Sequence, residues 1–117
     1  MDVCANSVFL NEEQKKFIIG EVDFLNEQLF KELKRNNIIA IVYYTGSMAR
    51  KEPSVNIEGH LSLNSDIDYM IVISNEYMEN EFLGNVSVYF NELYPNITSS
   101  FILIDNERIN LVHSIWV

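Results

Sequence analysis

The stretch NSDIDYMIVI, residues 64–73, sets two aspartates, Asp66 and Asp68, at the head of a run from Tyr69 to Ile73 apolar enough to be buried. On a β-strand, side chains two apart share a face, so Asp66 and Asp68 project together while Ile67 and Tyr69 point the other way. Two carboxylates on one side of a sheet repel each other, and a cation between them removes that cost. An oxygen-only pair suits Mg2+ (or Mn2+): magnesium takes one or two protein carboxylates and completes its shell with water and phosphate oxygens. Asp-x-Asp is a common tripeptide, and taken alone it is more often a loop cap followed by a solvent-facing edge residue. The residues upstream sharpen the choice.

IIAIVYY, residues 38–44, contains no polar side chain, which predicts a strand covered on both faces. TGSMARKE, residues 45–52, follows at once. Gly46 permits a tight turn there, and Ser47 to Lys51 have the composition of a short helix starting at the strand's end. Backbone N–H groups, the Ser47 hydroxyl and the helix dipole would then favour a phosphate. Arg50 and Lys51 are the basic pair beside it, with Arg50 the more useful cation next to a triphosphate. A Gly-Ser pair at a strand end is usually a plain turn. In this order, framed by two apolar strands, Gly-Ser and Asp-x-Asp are far more specific together than apart.

The remaining segments supply the frame. Asn11 is a plausible N-cap, and Ile18, Val22, Leu25, Leu29 and Leu33 recur at helical spacing as far as KRNN, residues 34–37. PSVNIEGHLSLN, residues 53–64, reads as a loop, and Asp66–Ser74 as the second strand. Asn75–Tyr94 predicts one or two helical pieces, weak at Gly84 and stopped by Pro95. SSFILIDNERINLVHSIWV, residues 99–117, predicts a hairpin turning at Asn106 and Glu107. The order implies an α/β (α+β) fold, a small mixed sheet with helices packed against it. The 117 residues predict one domain, and a pattern that stops in mid-strand at Val117 suggests a fragment or a minimal domain.

Composition excludes several classes. A net charge of −9 works against non-specific binding of nucleic acid or anionic membranes, which depends on clustered Lys and Arg. The single cysteine, Cys4, cannot form an internal disulfide, and MDVCANS lacks the basic start and apolar core of a secretory signal. The longest apolar run, Ile38 to Tyr44, is seven residues, against the roughly 20 of a membrane-spanning helix. A cytoplasmic location is expected.

YYTGSMAR followed by SDIDYMIVI resembles the signature of the nucleotidyltransferase superfamily that includes DNA polymerase β and the aminoglycoside nucleotidyltransferases. The likeness covers residues 38–74 well and the hairpin at 97–117 more loosely. It implies that Gly46 and Ser47 hold the phosphates of an NTP and that Asp66 and Asp68 bind catalytic metals. Those ions would clamp the attacking and leaving oxygens while a nucleotidyl group passes to an acceptor hydroxyl, on a small molecule or a protein, with loss of pyrophosphate. A third carboxylate from a later strand is also implied. In the aminoglycoside enzymes the matching hairpin ends in a motif like RIDL, whereas this chain has RINL, with Asn110 in the acidic place. The hairpin register predicted here puts Asp105 on the same side as Asn110, which makes Asp105 the candidate replacement. The loop from Ser47 to Asp66 is longer than the family's compact form. The alternative is a degenerate nucleotide- or partner-binding module without turnover, antitoxin-like or regulatory.

Other chemistry-bearing residues have plainer readings. His60 lies in the long loop, and His113 alternates with apolar neighbours on a strand. Tyr43 and Tyr44 precede the turn and could stack on a base, although sheet core is the simpler role. Cys4, in an N-terminus expected to fray, has no base beside it.

Overall fold

The computed structural model describes residues 2–57 and 61–107. Helix α1, Glu12–Arg35, begins at Asn11, whose side chain accepts from the Gln14 N–H at 2.8 Å while Gln14 Oε1 accepts from the Asn11 N–H at 3.0 Å. This reciprocal cap satisfies two donors left over by the first turn. Glu12 and Glu13 at its start and Lys34 and Arg35 at its end complement the dipole. Its buried stripe is Ile18, Val22, Leu25, Leu29 and Leu33, the residues whose spacing predicts it.

Strand β1, Ala40–Thr45, leads into the short helix α2, Gly46–Ala49. The expected loop contains a small ladder: β2, Val55–Asn56, pairs with β3, Ser62–Leu63. Strand β4, Ile67–Ile73, comes next, then a 3₁₀ turn at Asn75–Tyr77 and helices α3, Glu81–Gly84, and α4, Val86–Leu93. The interruption falls at Gly84–Asn85, as the sequence predicts. Strand β5, Ser99–Asp105, completes a sheet of order β1-β4-β5. β1 runs antiparallel to β4, and β5 runs parallel to it. Parallel neighbours need a crossover, and α3 and α4 supply it.

One face of the sheet is core. Ile67, Tyr69, Ile71 and Ile73 point into it, and the Tyr69 and Phe90 rings stack on Phe101 at 5.2 and 5.4 Å between centroids. Asn26 of α1 ties two strands together there, accepting from the Tyr69 hydroxyl and donating to the Tyr44 hydroxyl, each at 2.5 Å. Burial and the adjacent Tyr44 push the Tyr69 phenol above its usual range, which keeps it a donor.

Two expectations are corrected. β1 is not covered on both faces: it lies at an edge of the described sheet, with Ile41 58% and Tyr43 49% exposed. Its apolar run reflects two differing surroundings, one core and one open. The N-terminal segment is anchored, because the Asn6 N–H donates to the Lys51 carbonyl at 2.7 Å, Ser7 Oγ donates to the Pro53 carbonyl at 2.9 Å, and Val3 and Cys4 are buried. Burial raises the Cys4 thiol pKa, consistent with a packing role. The strand at 99–105 forms as the sequence predicts and pairs in parallel with β4, and the predicted return strand, residues 108–117, lies outside the described residues. Among those residues no helix is long and apolar enough to cross a membrane.

Candidate functional site

The two motifs meet at one end of the sheet. Thr45, the last residue of β1, lies opposite Asp68 of β4, and Asp68 lies beside Ser100 of β5. Gly46 turns the chain out of β1 with φ +62, a conformation that costs a side chain energy. The turn brings its Cα against the Asp68 carboxylate, so that a Cβ at residue 46 would collide with Asp68 Oδ2. Gly46 is thus required twice over, for its dihedral angle and for the approach.

The other Asp68 oxygen is held from the opposite side. Ser100 Oγ donates to Asp68 Oδ1 at 2.6 Å, a short charge-assisted bond. Asp68 is partly buried, whereas Asp66, at the entry to β4, is exposed. The chain leading to Asp66 is fixed to the segment following α2: the Ser54 N–H donates to Ser65 Oγ at 2.9 Å, and the Asn64 N–H to the Ser54 carbonyl at 3.0 Å. Ser47 is half-buried in the first turn of α2, and Thr45 makes no capping hydrogen bond to that turn.

Gly46 and Asp68 are in contact, with Ser47 next to the one and Asp66 two residues before the other at the entry to β4. Arg50 stands at the far end of α2, where its Nε donates to Glu52 Oε1 at 2.6 Å. Asp105 is not gathered, and its predicted role is corrected. It pairs with Ile73, at the end of β4 away from Asp68, a separation along the strand of roughly 16 Å. Its parity is also that of the core-facing residues Phe101 and Leu103, and its Oδ1 accepts from the Glu107 N–H at 2.9 Å. The predicted hairpin register that puts Asp105 on the same side as Asn110 falls on residues 108–117, outside the described residues; it is the β4–β5 register that sets Asp105 at the far end from Asp68. Asn110, His60 and His113 fall outside the described residues.

Comparison of the chain with protein-family models, curated proteins and solved structures gave no match. The chemistry of the site rests on its own groups.

Sequence reasoning missed Ser100. Nothing in SSFILID marks one serine as facing a carboxylate; only the parallel register places it there. On the neighbouring strand it sets a hydroxyl against the Asp68 carboxylate. Among the described residues, no three His, Cys, Asp or Glu side chains converge as a metal-binding set. The donors present, the Asp68 carboxylate with the Ser100 hydroxyl on it and Asp66 two residues earlier, fit one Mg2+ that would take its remaining ligands from water and substrate phosphates. Asp66 and Asp68 would hold that ion.

Proposed function

We propose that this chain binds an NTP as its magnesium complex at the Gly46–Ser47 and Asp66–Asp68 end of the sheet and transfers the nucleotidyl group to an acceptor hydroxyl. The observation that supports the reading is the packing of Gly46 on the Asp68 carboxylate, which sets the Gly46–Ser47 turn beside one of the two acids. Mg2+ supplies charge neutralisation between carboxylates and phosphates, and lets a protein of net charge −9 accept a polyanion. The chain's own residues orient the reactants. Gly46 leaves room for the Asp68 carboxylate beside the turn, the Ser47 hydroxyl would donate to the phosphates, and Ser100 fixes the Asp68 carboxylate.

In the transfer, the acceptor oxygen forms a bond to the α-phosphorus as the bond from that phosphorus to the bridging oxygen breaks. Pyrophosphate leaves, and the acceptor's proton passes to solvent. The acceptor is a hydroxyl of a small molecule or a protein partner, and the setting is cytoplasmic.

A hydroxyl on Asp68 from Ser100, with no third carboxylate joining it among the described residues, favours a second reading, a module that binds nucleotide without turnover. Incubation with labelled NTPs and Mg2+ separates the two. Pyrophosphate release with label transferred supports the enzyme, retained nucleotide without release supports the module, and no nucleotide binding removes both.

A further inference from the structure

The face that carries Asp68 continues into an apolar floor. The strand register lays three rows across the sheet: Thr45, Asp68 and Ser100, then Tyr43, Met70 and Ile102, then Ile41, Val72 and Ile104. Successive rows lie about 6.6 Å apart, two residues along a strand. Neither apolar row contains a charged side chain, and the middle one is open, with Tyr43 49% and Ile102 53% exposed. The adjacent tyrosines are thereby given different roles. Tyr44 points inward to Asn26, 2.5 Å away, and its ring lies 5.8 Å from that of Tyr69. Tyr43 points outward, one row from the carboxylate that would hold the phosphates' cation.

A nucleotide has the same polarity along its length, charged at the phosphates and flat and weakly polar at the base. The order of rows, carboxylate first and uncharged surface next, matches that of no ligand charged at both ends. We propose that Tyr43, Met70 and Ile102 form the base subsite of the nucleotide site, with the Tyr43 ring as the stacking surface. The assignment rests on the nucleotide-binding reading above. Stacking uses the π-face that every base presents, so it tolerates any base. The Tyr43 hydroxyl is the sole hydrogen-bonding side-chain group in the two apolar rows, so discrimination among bases is weak.

The test compares two probes on the whole chain: a non-hydrolysable ATP analogue and inorganic tripolyphosphate, each with Mg2+, in calorimetric titrations. Tyr43→Thr removes the ring and keeps a strand-favouring residue at an exposed position. It is expected to weaken the nucleotide about tenfold and leave tripolyphosphate unchanged. Tyr43→Phe, which keeps the ring, is expected to bind both as the natural chain does, and the GTP analogue to bind within about threefold of the ATP analogue. Equal nucleotide affinity in Tyr43→Thr, or equal weakening of nucleotide and tripolyphosphate, overturns the base subsite while leaving the phosphate site standing. If the natural chain binds neither probe, the nucleotide reading fails and the subsite with it.

Discussion

Gly46 packs its bare Cα onto the carboxylate of Asp68, joining a turn at the end of one strand to the head of the next. Gly46→Ala therefore meets both a left-handed backbone angle and a collision with Oδ2. It should cost roughly 1–3 kcal/mol in chemical denaturation and abolish nucleotide binding. Ser47→Ala removes one hydroxyl donor and should weaken binding only several-fold. Equal, small effects of both substitutions in a nucleotide titration would mark the turn as purely structural.

Ser100 is exposed but bonded to Asp68 at 2.6 Å. Ser100→Ala should change stability by less than about 0.5 kcal/mol, yet weaken Mn2+ binding in the presence of nucleotide several-fold, because Asp68 loses the group that orients it. Ser100→Thr should restore it, and Ser100→Asp, which adds a carboxylate in register, should tighten it. Paramagnetic resonance of Mn2+ reads all three. An Ala variant indistinguishable from the natural chain would show that the hydrogen bond does not serve the ion.

Asp105 lies beside Ile73, across the length of the sheet from the site. Asp105→Ala should leave nucleotide and Mn2+ affinity unchanged, losing only the bond it accepts from the Glu107 N–H. Loss of metal affinity in this variant would contradict the parallel register.

Asn26 joins the Tyr44 and Tyr69 hydroxyls across two strands. Asn26→Leu strands both and should cost roughly 2–4 kcal/mol in denaturant unfolding. A cost below about 0.5 kcal/mol would show that water satisfies them instead.

Tyr69 adds a pH dependence. Its phenol pKa is raised by burial first and by Tyr44 second, so its folded value exceeds its unfolded one. The native state thus favours the protonated form. That contribution is complete below about pH 10, the unfolded pKa, and is lost as pH rises above it. Unfolding free energy should fall more steeply above pH 10 in the natural chain than in Tyr69→Phe, and parallel curves would contradict the burial.

The helices and strands were legible because their periods are local. The Ile18 to Leu33 stripe, the Asn11 cap and the break at Gly84–Asn85 all follow from neighbours in sequence. The meeting of Gly46 and Asp68 was legible too, since each follows or heads an apolar strand recognisable from its own neighbours. Long-range facts were not. The parallel placement of β5 depends on the α3–α4 crossover, and with it go the position of Ser100 and the displacement of Asp105. The outward turn of Tyr43 was hidden because an apolar edge strand with one open face has the composition of a buried one. Cys4 looked like part of a frayed end because the anchors of its segment, the Lys51 and Pro53 carbonyls that hold Asn6 and Ser7, are remote in sequence.

The decisive experiment is the thermal shift produced by Mg2+ with a non-hydrolysable NTP analogue, in the natural chain and in Asp66→Asn/Asp68→Asn. A ligand bound only by the native state stabilises it by RT ln(1 + [L]/Kd), about 2.7 kcal/mol at a hundredfold excess over Kd. The natural chain should show an increase in Tm that requires both nucleotide and metal, and the double variant should lose the metal-dependent part. An undiminished shift in the double variant, or no shift in the natural chain, would contradict a nucleotide–metal site at the paired aspartates.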